Sequence, residues 1–507
     1  MKRTLEMYYT TDTHGYLFPT DYVSQAEKNM GVLSCIKEYK KGGNTLILDA
    51  GDTIQGSAFV KYMWEKDKEG CTITDVFNNG RYDYITLGNH DFNYGYKGMS
   101  RYLKRLNAQC VVANVVDHTG ELNIKPYVIH TLENGLKVGI VGIVTDYVTL
   151  WEKPEHLTNF EILDTFSSAQ QAFEEIKGQC DVTVCLYHGG FECDLQTGKK
   201  LAKGKENVGY RICKELDFDV LLTGHQHMPV EGRMLFGTYT MQLIPNAQKY
   251  GYVKIEVDES GTLEITSESV TPKAISMSEV PEKWANMQED VQAWLDMKLG
   301  SFTEEIPALN KLEIAVNGSR LADFFNQIQL EHTGADFSCI SLGNNPVGFG
   351  KEVTTRDVVA AYQFPNTIKV LEVDESVLRQ ALERCAEYFT LKEDEIVISE
   401  CFLSPKVEHY NYDYFAGFSY TFDISKPVGQ RVVEIRVNGK PFGDKKYTLA
   451  MSDYRATGTG GYACYKNCPV VREYAVDIQE LAIEYIKAHQ EVQIMAKPDF
   501  KIVLKKF

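Results

Sequence analysis

No stretch of this 507-residue chain approaches ~20 consecutive apolar residues, so it offers no helix long enough to span a membrane. It also lacks a Lys/Arg-rich block. With 53 basic against 70 acidic residues and a formal charge of −17, neither a nucleic acid nor an anionic membrane surface is expected as the main partner. If the substrate is anionic, the positive charge that meets it has to come from metal ions. Internal repeats and low-complexity tracts are absent, which excludes a repeat array. A disulfide framework is absent too. The 12 Cys are scattered, some inside expected strands (Cys185) or helices (Cys385), and only Cys464 and Cys468 are close partners. Free thiols in a reducing compartment are expected. The amino terminus, MKRTLEMYYTTDTHG, runs within a dozen residues into the first catalytic-looking strand, so a cytoplasmic location is expected for the chain as it stands. Export with the leader removed is the alternative.

What is present is ordinary in composition and specific in pattern. With 44% hydrophobic and 24% charged residues the chain reads as globular protein. At a prior of roughly 150 residues per domain it holds two to four domains. Five apolar, β-branched runs in the first half each end on a residue able to bind a metal. They close on Asp12 and His14 after MYYTTDTHG, on Asp52 after TLILDAGD, on Asn89 and His90 after YITLGNHD, on His188 after VTVCLYHGG, and on His225 and His227 after VLLTGHQH. Such runs read as buried strands, and in layered α/β folds the carboxyl ends of the strands face the active-site crevice. Four His, two Asp and one Asn gathered there satisfy two divalent cations. A shared carboxylate can bridge the pair, which lowers the pKa of a bound water.

Residues 1 to about 270 alternate strand-like runs with helical patterns such as SSAQQAFEEIKGQ, which predicts a sheet covered by helices. KIEVDESGTLEITSESVTP predicts a closing hairpin with ESG at its turn. Trp284, Met287, Val291 and Leu295 lie at helical spacing in the next segment, which opens with Ser278 and Pro281 and reads as one bridging helix. From about 305, helices (RLADFFNQIQLEH, SVLRQALERCAEYF) mix with strand pairs (FSYTFDIS, RVVEIRVNG, KYTLAMSDY). The expected domains are 1–275, a bridging helix and linker 276–304, and 305–507.

The motifs DTHG, GD, GNHD, HGG and GHQH, in this order and each after a strand, resemble the calcineurin-like metallophosphoesterases. Their order, the bridging helix, and the carboxyl-terminal QFPNT and YRATGTGGY are similar to the 5′-nucleotidase family, over nearly the whole chain. The resemblance implies an α/β fold: a four-layer α/β/β/α metallophosphoesterase domain, a bridging helix and a smaller α+β carboxyl-terminal domain. Carried over position by position, it implies one ion on Asp12, His14, Asp52 and His227, and a second on Asp52, Asn89, His188 and His225, with Asp52 shared. The ions are Mn, Zn, Fe or Co, which mixed His, Asp and Asn ligands suit equally.

The resemblance also implies that His90 stabilises the phosphoryl transition state or protonates the leaving oxygen, as a general acid. The 5′-nucleotidases pair this His with an Asp three residues on, where this chain has Asn93, an amide that can orient the ring but not charge it. Asp91 reads as structural. The base would be held between Phe364 and Tyr454 by stacking worth roughly 1–3 kcal/mol per ring. Gly460 stands where 5′-nucleotidases carry a ribose-binding Asp, and SLGNNPVGFG replaces their usual GGGIR-type contact. Asn93, the pattern GNH-x-FNYG, and His227 in place of Gln resemble the branch of 2′,3′-cyclic-nucleotide 2′-phosphodiesterase/3′-nucleotidases. The expected activity is hydrolysis of 2′,3′-cyclic nucleotides and 3′-nucleotides to nucleoside and phosphate. A 5′-nucleotidase or nucleotide-sugar hydrolase is the runner-up, and a non-catalytic two-domain nucleotide-binding or sensing protein stands lower. A nuclease is disfavoured, since no basic track is visible.

Overall fold

The computed structural model describes residues 2–24, 26–66, 72–200, 205–345, 347–364, 366–404, 406–495 and 499–504. It divides into two compact units, residues 1–292 and 293–507.

The first unit is built on two sheets. One orders its strands Leu263–Val270, Tyr250–Val257, Arg3–Thr10, Thr45–Asp49, Tyr84–Ile85, Gln109–Val111 and Ile124–Lys125. The other runs Val230–Leu235, Thr238–Gln242, Val220–Thr223, Val182–His188, Lys137–Val144 and Tyr127–Thr131. Period-2 alternation gives each strand two jobs. Val182, Val184 and Leu186 join Leu5, Met7, Leu46 and Leu48 of the other sheet in one core, while Cys185 and Tyr187 face the opposite way, into a core with Phe166, Phe173 and Ile212 of the helices Thr165–Ile176 and Gly209–Glu215. This is why both central strands read as unbroken apolar runs. The closing hairpin forms as expected, with Val257 opposite Leu263 and Gly261 at φ 83° in the turn.

The bridging segment opens with a 3₁₀ turn, Met277–Glu279, whose Ser276 and Glu279 form a capping box. The helix spans Glu282–Leu295, and Trp284, Val291 and Leu295 are buried along it. The boundary between the two compact units falls inside this helix. The next strand, Lys298–Phe302, belongs to a sheet with Glu352–Thr354 and Glu491–Val492.

In the second unit the helix Arg320–Thr333 is started by Ser319, whose hydroxyl accepts from the Ala322 N–H, and ended by Gly334 at φ 62°. Ser419–Asp423 pairs antiparallel with Val432–Val437, as the FSYTFDIS and RVVEIRVNG patterns suggest. Tyr447–Ser452 goes elsewhere: it lies between Phe337–Ser341 and Thr367–Val373 in a five-stranded sheet. An alternating pattern fixes which face is buried but not which strand lies alongside. Among the described residues every Cys is a free thiol, and no helix is long and apolar enough to cross a membrane.

Candidate metal centre and substrate-domain residues

The carboxyl ends of strands from both sheets of the first unit converge. Asp12, Asp52 and Asn89 follow Arg3–Thr10, Thr45–Asp49 and Tyr84–Ile85, while His188 ends Val182–His188 and His225 follows Val220–Thr223. Five of the residues implied as ligands turn through left-handed backbone: Asp12 (φ 51°), His14 (48°), Asp52 (58°), His225 (70°) and His227 (55°). Non-glycine residues avoid this region at a cost of about 1–3 kcal/mol each, and such strain collects at functional sites. Here it is held by backbone hydrogen bonds. Asp12 N–H donates to the Gly51 carbonyl and His14 N–H to the Asp52 carbonyl, each at 2.8 Å. Asp91, the residue read as structural, accepts from the backbone N–H groups of Asp52, Thr53, Ile54 and Gly88 at 2.8–3.0 Å and so cradles the Asp52 loop.

The side chains form two overlapping groups of ligand atoms, Asp12 with His14 and His227, and Asp12 with Asp52 and His188. The Nε2 atoms of His14 and His227 lie 3.1 Å apart, and His227 Nε2 is 3.3 Å from Asp12 Oδ1. His188 Nε2 is 3.1 Å from Asp52 Oδ2 and 3.9 Å from Asp12 Oδ1, yet it is buried without hydrogen-bond geometry to either. Asp12 thus belongs to both groups, whereas the family resemblance assigns the shared role to Asp52. Asp52 Oδ1 accepts the His90 N–H at 2.7 Å, and both Asp12 oxygens accept the His225 N–H at 2.9 and 3.0 Å.

The far nitrogens explain why the near ones point inward. A carbonyl only accepts, so His14 Nδ1, 2.9 Å from the Gln55 carbonyl, and His188 Nδ1, 2.7 Å from the Ala50 carbonyl, both carry hydrogen. Each ring therefore has its Nε2 left to face the cluster, as a lone pair once a cation displaces the proton there. His225 is reversed: its Nε2 is held at 2.8 Å by Glu206 Oε1, and its Nδ1 faces Asn89 Oδ1 at 2.9 Å. Asn89 and His225 therefore meet as a pair beside the two groups. Imidazoles oriented by acceptors behind them are the arrangement that metal ions require.

The electrostatics agree. Burial raises the Asp12 and Asp52 carboxyls, but the His227 hydrogen bond and the charge of His188 at Asp12, and the charges of His188 and His90 at Asp52, hold both well below the usual carboxylate range. Burial works against a charged His188, yet Asp52 and Asp12 override it and push the imidazole up to about 10. Burial dominates at His14 and pushes it down to about 4. Two buried carboxylates held ionised need cationic partners, and a cation bound here displaces protons.

Sequence reasoning missed Glu206 and Trp151. Trp151 stacks on His225 with ring centroids 5.5 Å apart and planes 23° from parallel. The loop that carries Glu206 is anchored by Lys205 N–H to Tyr147 Oη and Val208 N–H to Tyr187 Oη. Neither residue lies in a periodic segment, so no local pattern marks it. Glu206→Ala should weaken the ion that the resemblance assigns to His225 about 10–100-fold, the usual effect of losing an outer partner of a ligand. Chelator-competition titration measures this, and unchanged affinity at both ions would refute the role.

In the second unit, antiparallel pairing brings the two aromatic segments to one sheet end, with Ile368 opposite Ser452. Phe364 precedes the one strand and Tyr454 follows the other. Asp453 Oδ2 accepts from Thr367 Oγ1 at 2.9 Å and ties the segments together. Phe364 is partly buried and meets Tyr362 and Tyr410 edge-on at 5.9 and 6.2 Å, and Tyr454 is 37% exposed. The loop after Tyr454 rests on a fully buried ion pair, Arg455 Nη2 to Asp413 Oδ1 at 2.9 Å. Gly460 sits at φ 70°, where an added Cβ would overlap Asn411 Oδ1 and Arg455 Nη1. A side chain at that position would have to displace both and hold a left-handed backbone.

The family model for calcineurin-like phosphoesterases matches residues 7–229, and that for the 5′-nucleotidase carboxyl-terminal domain matches 299–467. Among solved structures, a Staphylococcus aureus protein described as a 5′-nucleotidase, in complex with alpha-ketoglutarate, is 32% identical with a TM-score of 0.92, over 99% of this chain and 100% of that one. A 2′,3′-cyclic-nucleotide 2′-phosphodiesterase/3′-nucleotidase of Haemophilus influenzae is 24% identical over 97% of this chain and 85% of its own length. The trifunctional nucleotide phosphoesterase YfkN of Bacillus subtilis is also 24% identical over 97% of this chain, which spans 38% of that longer protein.

Proposed function

Since the chain belongs to the calcineurin-like phosphoesterases that carry a 5′-nucleotidase carboxyl-terminal domain, we propose that it hydrolyses nucleotides, with 2′,3′-cyclic nucleotides and 3′-nucleotides preferred and nucleoside and phosphate as products. Calcineurin-like phosphoesterases use two divalent metals. The observation that carries the reading is the pair of overlapping ligand groups on Asp12, His14, Asp52, His188 and His227, with inward nitrogens oriented from behind. Asn89 and His225 complete the second ion's ligand set, and Asp52 is the shared carboxylate. When bound, such ions supply Lewis-acid charge for the phosphoryl oxygens and make a nucleophile of water near neutral pH. His90 acts on the leaving oxygen from beside this cluster, its backbone N–H fixed on Asp52 and its ring on Asn93.

Phe364 and Tyr454 hold the base. The preference among esters rests on how the sugar is held. A 5′-nucleotide offers free 2′- and 3′-hydroxyls for a carboxylate to grip, and a cyclic phosphate has neither as a donor. Gly460 supplies no such carboxylate, and a side chain there would have to displace Asn411 Oδ1 and Arg455 Nη1. Asn93 and His227 favour the same branch, as does the likeness to a cyclic-nucleotide phosphodiesterase. The second reading, a 5′-nucleotidase or nucleotide-sugar hydrolase, is favoured by the 32% identity to a protein described as a 5′-nucleotidase. Phosphate release across 5′-, 3′- and 2′,3′-cyclic nucleotides with added Mn separates them. The expected kcat/KM for 2′,3′-cyclic AMP exceeds that for 5′-AMP at least about tenfold, or roughly 1.4 kcal/mol of differential transition-state stabilisation. Equal or reversed values transfer the assignment to the second reading.

A further inference from the structure

The amide that replaces a carboxylate beside His90 is not the end of its hydrogen-bond chain. Asn93 Oδ1 lies 2.8 Å from His90 Nδ1, and Asn93 Nδ2 donates to Glu152 Oε2 at 2.6 Å. The Glu152 side chain is 6% exposed, and its other oxygen accepts from Lys153 N–H and from His156 Nδ1, each at 2.8 Å. We propose that Glu152 is a positioning residue, which orients the Asn93 amide and through it sets the hydrogen and the direction of the His90 imidazole.

Donor and acceptor polarity fixes the order of the chain. An ionised carboxylate only accepts, so the NH₂ of Asn93 must face Glu152. The amide oxygen is then committed to His90 Nδ1, which must carry hydrogen, and Nε2 is left as the nitrogen that exchanges a proton with the leaving oxygen. Burial raises the Glu152 carboxyl, but the hydrogen bonds from His156, Lys153 and Asn93 outweigh it and hold the group below its usual range, as an acceptor. Without Glu152 the two orientations of the amide become nearly equivalent, and the rotated one offers an N–H to Nδ1, which must then accept, so the ring cannot keep hydrogen on Nδ1 while Nε2 hands one to the leaving oxygen.

The segment is held from both sides. Trp151, next in sequence, stacks on His225. His156 packs on Gly95, where an added Cβ would lie 3.2 Å from the imidazole Cδ2 and the backbone φ is 58°. Glu152 closes the short helix Val148–Trp151 and cannot follow a wandering amide. A negative charge therefore stands one amide away from His90: it selects the tautomer without pairing with the ring.

The inference rests on the role proposed for His90, and an exchange experiment on the full metal-loaded chain tests it. Glu152→Gln should lower kcat for 2′,3′-cyclic AMP about tenfold or more, with KM within about twofold. Asn93→Asp alone should also lower it, because it sets a second carboxylate against Glu152. The double variant Asn93→Asp/Glu152→Gln restores every donor to an acceptor: the carboxylate introduced at position 93 accepts from His90 and from the new amide at position 152, whose oxygen keeps Lys153 N–H and His156. It should return kcat to within about threefold of wild type. Additive losses in the double variant would overturn the proposal, since a scaffold role for Glu152 is not repaired by a carboxylate at position 93. Imidazole ¹⁵N spectra of the zinc-loaded protein, with His90→Gln assigning the signal, give a readout independent of turnover. The Nδ1–H form should be present in wild type and the double variant and depleted in Glu152→Gln. A wild type that releases phosphate from no nucleotide sinks the proposed function alone, and an unchanged His90 tautomer in Glu152→Gln sinks the present inference alone.

Discussion

Asp52→Asn should lose tight binding of both ions and at least about 10³-fold in turnover while keeping its fold. Asp52 is 1% exposed, with one oxygen on the His90 N–H and the other 3.1 Å from His188 Nε2. Asparagine either keeps the first contact and turns an NH₂ toward the cluster, or turns a weaker uncharged oxygen there and loses the first contact. It also removes one of two buried negative charges that neutralise the cations. Charge stabilisation by bound ions is worth several kcal/mol, and about 1.4 kcal/mol corresponds to a factor of ten in rate. The loop itself stays in place, since Asp91 holds the backbone N–H groups of residues 52, 53 and 54. Metal content by mass spectrometry, turnover and Tm measured on one preparation check this. Two tightly bound ions per chain with wild-type turnover would contradict it.

His90→Gln should separate metal binding from chemistry. The contact that His90 makes with Asp52 comes from its backbone N–H, which any residue at 90 supplies. Its ring touches Asn93 and meets the His14 ring at 5.5 Å, nearly edge-on at 69°. Replacement of the ring should leave metal content unchanged and lower kcat by roughly 10²–10⁴, the range for a general acid or base. KM should change little, because the role lies in the transition state. A kcat within threefold of wild type would remove His90 from the reaction.

Much of this was legible because the first unit writes its layout locally. A strand buried on both faces appears as an unbroken apolar run, and the residue at its carboxyl end faces the crevice, so Asp12, Asp52, Asn89, His188 and His225 could be named from runs and endings alone. The left-handed backbone at Asp12, His14 and Asp52 was not legible, because hydrogen bonds between distant loops enforce it. Glu152 and Glu206 were invisible for the same reason. Each sits in an irregular segment and acquires its task only when folding brings it to Asn93 or His225. Gly460 shows the opposite case. As a departure from the family pattern it was plain, but what a larger residue would have to displace, Asn411 and Arg455 on either side, exists only in three dimensions. Tyr447–Ser452 was recognisable as a strand while its partners were not, since strand pairing is decided by residues far away in the chain.

The shared carboxylate is where the family assignment and the side-chain arrangement make different choices, Asp52 in one and Asp12 in the other. An anomalous difference map from a crystal of the Mn-loaded protein decides between them. The account predicts two peaks: one ligated by Asp12, His14 and His227, the other by Asn89, His188 and His225, and both by Asp52. A single peak, or two peaks joined by Asp12 with Asp52 on only one of them, would contradict it.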